Sequence, residues 1–166
     1  MTTVIFSHGQ ESGPWGTKIR AMAELAKAKG CNVDSIDYQG IADPGERVDK
    51  LIVEASGIDD SLILVGSSMG GHVATAAAEQ LGAAGLFVLA PAYYVEEIEA
   101  LTPEPPEMPI VIVHGWQDDI VPVENSIRFA RKCNATLHLV NGDHRLTANI
   151  GEINDYFDKF IDHVAA

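Results

Sequence analysis

The chain is 166 residues long with 46% apolar and 21% charged side chains, which suits one globular domain over residues 1–166 built around a single core. A formal net charge of −13 argues against nucleic acid and anionic membrane surfaces as partners, and slightly favours neutral or cationic substrates over polyanions. Cys31 and Cys133 are too isolated for a disulfide framework or a zinc site, no basic leader precedes the first apolar run, and no run reaches transmembrane length; the expectation is a cytoplasmic, reduced protein with no metal and no cofactor.

Taken in order, Val4 to Phe6 reads as a first strand. Lys18 to Lys29 reads as a helix with Thr17 as N-cap and Gly30 just past its end. Val33 to Tyr38 is a second strand. Asp43-Pro44-Gly45-Glu46 has the form of a capped helix start, and Val48, Leu51, Ile52 and Ala55 follow at helical spacing. Leu62 to Val65 is a third strand, and the helix after it runs to near Gly82. Strands follow at Leu86–Leu89, Ile110–Val113 and Leu137–Val140, with a helix over Val123–Lys132 between the last two. Ile150, Ile153, Phe157, Phe160, Ile161 and Val164 share one face of a final helix. Six strands alternating with helices predict a parallel sheet covered on both faces, a three-layer α/β/α sandwich. Between Pro91 and Pro109 the pattern breaks. A short possible helix carrying Glu96, Glu97 and Glu99 gives way to a proline-rich stretch that favours an extended surface loop.

Gly66-Ser67-Ser68-Met69-Gly70 matches G-x-S-x-G, with a strand before it and a helix after it. In that context the turn lifts the central hydroxyl above the sheet edge, and the glycines remove side chains that would collide; Ser68 is therefore a candidate nucleophile. An incidental serine in a structural turn is the alternative. Partners for such a serine belong at the carboxyl ends of other strands. Asp118 and Asp119 follow the fifth strand and His144 the sixth, in the chain order serine, acid, histidine. Of the histidines beyond Asp118, His138 lies within a strand and His163 within the last helix, which leaves His144 in a loop at the required edge. Asp143 is adjacent to His144 and badly placed to reach across and orient its ring.

Four stretches together resemble one family: Phe6-Ser7-His8-Gly9, Gly66 to Gly71, His114-Gly115-x-x-Asp118-x-x-Val121-Pro122, and Gly142-Asp143-His144. The chain is similar over essentially its whole length to a compact α/β-hydrolase of the YqiA-like or small serine-esterase-like kind. The resemblance implies Asp118 rather than Asp119 as the acid. It also implies an oxyanion hole made by the backbone N–H groups of Met69 and Gln10. With nothing antiparallel before Val4 and no insertion large enough for a cap, it implies a minimal core with strand order 2-1-3-4-5-6 and a shallow, open site. Trp15, Tyr93, Tyr94 and Trp116 follow strands and are candidate substrate contacts, with ordinary half-buried packing as the other reading of each. The implied activity is a serine hydrolase acting on small carboxylic esters, thioesters or amides through an acyl-enzyme. The alternative is a binding or scaffold protein that keeps the fold without the chemistry.

Overall fold

A computed structural model describes residues 1–165. Six strands form one parallel sheet: β1 (Thr2–Ser7), β2 (Asn32–Ile36), β3 (Ser61–Ser67), β4 (Gly85–Leu89), β5 (Ile110–Gly115) and β6 (Thr136–Val140), in the order β2-β1-β3-β4-β5-β6. The connecting helices are α1 (Thr17–Ala28), α2 (Pro44–Ala55), α3 (Met69–Ala78), α4 (Val123–Cys133) and α5 (Ile150–Ala165). Strand order and the three-layer arrangement are those expected. Among the described residues no cap covers the sheet.

Side-chain alternation along the central strands divides the core in two. Val4 and Phe6 of β1 and Ile63 and Val65 of β3 face a cluster completed by α1 and α5, including Met22, Phe157 and Phe160. Ile5, Leu62 and Leu64 face the opposite cluster, completed by α2, α3 and α4 through Leu51, Val73 and Phe129. Both faces of the sheet are therefore dry, which is why β3, β4 and β5 read as unbroken apolar runs rather than as alternating strands. In α2 the Asp43 side chain accepts from the Glu46 N–H at 2.9 Å, and Pro44 occupies the first turn, as expected.

Several boundaries differ from expectation. The N-cap of α1 is Gly16 rather than Thr17, and no side chain caps it. α3 ends at Ala78, and the chain continues through a turn to Gly82, whose positive φ of 61° reverses it. β2 stops at Ile36, because the Tyr38 N–H leaves the ladder to bond His8 Nε2 at 2.8 Å while its ring enters the core. Between Pro91 and Pro109 only a single 3-10 turn forms, at Glu99–Leu101. Among the described residues no helix is long and apolar enough to cross a membrane.

Phe157 is fully buried and meets Phe6 and Phe87 at ring separations of 6.4 and 5.1 Å. Phe157→Ala leaves a cavity at the centre of the α5 interface and is expected to cost about 3–5 kcal/mol. Urea unfolding midpoints of the two proteins measure it; a change of a few tenths would mean that α5 is not part of the cooperative core.

Candidate active site

β3 ends in a sharp turn. Ser68 has φ 55° and ψ −118°, a sparsely populated conformation for a side-chain-bearing residue, and α3 starts at the next position. Two glycines make the turn possible. A Cβ on Gly66 would collide with the Gly70 carbonyl, and one on Gly70 with the Ser7 carbonyl, both backbone atoms with no room to yield. Hydrogen bonds then sew the turn to the end of β4. The Ser68 N–H donates to the Leu89 carbonyl at 2.9 Å, and the Ala92 N–H to the Ser68 carbonyl at 2.9 Å. The strain at Ser68, of order 1–3 kcal/mol, is held by these neighbours.

The loops after β5 and β6 are joined to each other as well. Trp116 N–H donates to Val140 O at 2.9 Å and Gln117 N–H to Gly142 O at 3.0 Å, so the loop with Asp118 and the loop with His144 are braced together. The result brings three side chains from separate loops into line. His144 Nε2 lies 3.0 Å from Ser68 Oγ, and His144 Nδ1 lies 2.8 Å from Asp118 Oδ2. The carboxylate can only accept, so Nδ1 carries the hydrogen, and in the uncharged ring Nε2 is free to accept from the serine hydroxyl.

The Asp118 carboxylate has no solvent exposure, and both its oxygens are satisfied. Oδ1 accepts from the Ile120 and Val121 N–H groups at 2.9 and 2.8 Å, and Oδ2 faces His144 and His114 Nε2, the latter at 3.0 Å. Burial, the largest single influence, would raise its pKa. The donors from His114, His144, Val121 and Ile120 together outweigh burial and hold the carboxyl well below the usual carboxylate range. Asp119 is exposed and has no such partners. Asp143 uses Oδ1 to accept from the Arg145 and Leu146 N–H groups, capping its own turn. His138 stacks on Tyr156 at 3.7 Å, and His163 is exposed on α5.

Of the four candidate aromatics, Tyr93 is corrected. It is 0% exposed, stacked on Phe129 at 4.0 Å, with its hydroxyl 2.5 Å from Thr75 Oγ1, and so belongs to the core. Tyr94 is half-buried against the same cluster with the Arg128 guanidinium 3.7 Å from its ring centre. Both turned inward because the backbone at Tyr94 is left-handed and Asn125 Nδ2 holds the Tyr93 carbonyl at 2.8 Å. Trp15 and Trp116 are 41% and 54% exposed on loops after β1 and β5. A concavity of about 510 Å³ lined by Gln117, Asn141, Gly142, Asp143, Thr147, Ala148 and Asn149 contains neither Ser68 nor any of the four aromatics. Among the described residues no cluster of three or more His, Cys, Asp or Glu side chains is arranged to hold a metal ion.

Three polar residues near this site carried no assignment in the sequence. His114 is wholly buried behind Asp118. Its Nε2 faces two acceptors, Asp118 Oδ2 and the Val121 carbonyl at 2.9 Å, and so carries the hydrogen; its Nδ1 meets Ser126 Oγ at 2.6 Å. The signal was a polar residue ending the apolar run Ile110–Val113. Lys18 reaches from α1 to Ser67 Oγ at 3.3 Å, next to Ser68 in the chain, and burial pulls its pKa down to about 8 against the pull of Asp143 and Asp118. Arg47 stands four residues before Leu51 and eight before Ala55, on the α2 face that meets the core, a periodic position at which an arginine is conspicuous.

A family model described as "Alpha/beta hydrolase domain" matches residues 1–165. No curated protein matches the sequence. Among solved structures, one from Xanthomonas campestris pv. campestris, described as of the alpha/beta hydrolase superfamily, is 28% identical with a TM-score of 0.89, covering 97% of this chain and 98% of that one. Mouse alpha/beta hydrolase domain-containing protein 10 is 23% identical with a TM-score of 0.83, over 98% of this chain and 90% of that one. Est1E from Butyrivibrio proteoclasticus, solved with ferulic acid bound, is 18% identical with a TM-score of 0.86, over 99% and 90%. The last two establish likeness of fold alone.

The depressed Lys18 pKa has a thermodynamic consequence. An unfolded chain keeps this proton up to the ordinary lysine value of 10.5, whereas the folded protein releases it near 8. Between those values the unfolded state binds more protons, so folding stability attributable to Lys18 rises with pH. Wild type is expected to gain stability relative to Lys18→Gln as pH is raised from 7.5 to 10, read from paired urea midpoints. A difference that stays flat would show that the ammonium is not desolvated.

Proposed function

The chain belongs to the alpha/beta hydrolase family, and on that premise we propose that it is a serine hydrolase that cleaves small carboxylic esters, with thioesters and small amides as chemical relatives. Ser68 is the nucleophile, His144 the general base and acid, and Asp118 the residue that orients His144. The observation that carries this reading is the pair of hydrogen bonds through one imidazole, 3.0 Å to Ser68 Oγ and 2.8 Å to Asp118 Oδ2. An isolated serine hydroxyl is a weak nucleophile at neutral pH and needs an adjacent base to take its proton as the new bond forms.

In the proposed reaction Ser68 Oγ attacks the acyl carbon while His144 Nε2 takes the hydroxyl proton. The carbonyl oxygen becomes an oxyanion, received by the Met69 and Gln10 N–H groups, each worth about 3 kcal/mol of transition-state stabilisation. Collapse of this intermediate breaks the bond to the leaving group, which takes the proton from His144 and departs. Water then attacks the Ser68 acyl ester with His144 again as base, releasing the carboxylic acid and restoring the hydroxyl. Asp118 stabilises the imidazolium formed in each half. Met69 heads α3, where unpaired N–H groups and the helix dipole favour negative charge. The missing cap supports small or surface-exposed acyl groups over long lipids, with the exposed Trp15 and Trp116 rings as available contacts. A formal charge of −13 disfavours polyanionic substrates, nucleic acid and anionic membranes. Residues 1–166 act as one catalytic domain in this proposal.

A fluorophosphonate probe is expected to label wild type on Ser68, and Ser68→Ala to abolish both labelling and turnover of a short-chain activated ester. Asp118→Asn mis-sets the imidazole tautomer and should lower kcat/KM by about 10⁴-fold, while Asp119→Asn changes it less than severalfold. Equal losses in the two aspartate variants would break the assignment of the acid. If wild type takes no probe and turns over no ester, thioester or amide, the fold serves a binding role instead.

A further inference from the structure

Arg47 is one of the largest fully buried side chains in the protein, at 1% exposure, and its guanidinium meets no carboxylate among the described residues. A buried charge without a counter-ion is costly unless fixed dipoles take its place. Here those dipoles are backbone carbonyls. Nε donates to Ile41 O at 2.7 Å, Nη1 to Gly9 O at 3.2 Å and to His8 O at 3.4 Å, and Nη2 approaches Gln10 O at 3.5 Å, the limit of such a contact. The Tyr38 ring lies 5.4 Å from the guanidinium carbon. One arginine from α2 thus gathers three successive carbonyls of the loop after β1.

The central carbonyl is held twice. His8 Nε2 accepts the Tyr38 N–H at 2.8 Å, so the proton of the uncharged ring is on Nδ1, which donates to Gly9 O at 2.7 Å. Burial, the largest influence on His8, lowers its pKa and keeps the ring in that form. The peptide joining Gly9 to Gln10 is planar and trans, so its C=O and N–H point in opposite directions. With Gly9 O tied to Arg47 and His8, the Gln10 N–H faces away from them. The loop runs directly beside the proposed nucleophile: a Cβ built on Gly9 would stand 3.5 Å from Ser68 Cβ. A flipped peptide would instead aim a carbonyl where the oxyanion must form, and would take an acceptor from a buried charge.

We propose that Arg47 is a positioning residue that locks the Gly9–Gln10 peptide in the orientation presenting the Gln10 N–H to the reacting carbonyl oxygen. The proposal rests on Ser68 being the nucleophile and Gln10 an oxyanion donor. Arginine suits the task because its rigid fork spreads one charge over several acceptors, whereas a lysine ammonium is a compact point charge that cannot reproduce the fork.

The test compares wild type with Arg47→Lys and Arg47→Gln, using a short-chain activated ester and a boronic acid that mimics the tetrahedral intermediate. Loss of one oxyanion donor lowers kcat by about 10²–10³-fold. Both variants are therefore expected to lose kcat and kcat/KM together, with KM within about threefold and boronic acid affinity falling in step with kcat. The acid limb of the pH profile should not move, because His144 keeps its partners. Residual dipolar couplings should show the Gln10 N–H vector directed towards Ser68 in wild type and reoriented in the variants. Folded variants with wild-type kcat and boronic acid affinity would overturn the proposal and leave the hydrolase reading standing. If wild type takes no fluorophosphonate and turns over no substrate, it is the hydrolase reading that fails, and the role proposed for Arg47 in catalysis falls with it. Should neither variant fold, the wild-type coupling decides: a Gln10 N–H directed away from Ser68 overturns the proposal, and one directed towards Ser68 supports it.

Discussion

The closeness of α3 to the end of β1 governs everything at this sheet edge. It is set by backbone meeting backbone: Gly70 packs so tightly on the Ser7 and His8 carbonyls that no Cβ fits between them. That contact brings the N-terminus of α3 to the loop after β1, and so places Ser68 beside Gly9. It also forces the chain through the conformation seen at Ser68, since strand and helix must join with no spare residue. Side chains alone could not impose such a geometry, because rotamers relax where main-chain atoms cannot.

Beneath that edge lies a buried polar layer in which His8, His114 and His144 are each oriented by their neighbours. His8 accepts from a backbone N–H with one nitrogen and donates to Gly9 O with the other. His114 gives its Nε2 hydrogen towards Asp118 and Val121 O. His144, alone of the three, retains some exposure, with 19% of its side chain accessible against none for Asp118. A low-dielectric surrounding strengthens satisfied hydrogen bonds and penalises orphaned ones, so such a layer holds its members in fixed orientations. This matters for the proposed chemistry, because groups aimed at developing charge help most when they need not reorganise during reaction.

The layer beneath is buried and hydrogen-bonded, while among the described residues no cap covers the surface above it. Around Ser68 stand Gly9 of the loop after β1, His144 of the loop after β6, itself held by Asp118 of the loop after β5, and the turn at Pro91–Ala92. Two of the aromatic residues in these loops turned out to be structural. Tyr93 and Tyr94 secure the turn after β4 to α4 through Phe129, Asn125 and Arg128, which stabilises the same turn that accepts from Ser68 N–H through Leu89. Of the four loop aromatics, Trp15 and Trp116 are therefore the two left exposed.

Much of this was legible from local chemistry. Unbroken apolar runs marked buried parallel strands, Asp43-Pro44 marked a helix start, and glycines on either side of Ser68 marked a turn that only glycine permits. Chain order placed Ser68, Asp118 and His144 after the third, fifth and sixth strands, where a parallel sheet gathers its loops on one edge. What tertiary structure decided were contacts between residues far apart in the chain, about which local pattern carries no information. The motif resemblance favoured Asp118 over Asp119, but only the folded chain shows which carboxylate reaches His144, 26 residues on, and is backed by His114. Tyr93 could be assigned to the core only once Phe129 was seen beneath it. Arg47 faced the core by helical period, but its partners emerged only when the loop after β1, 37 to 39 residues away, was found wrapped on its guanidinium. Periodicity says which face of an element turns inward; packing alone says what that face will meet.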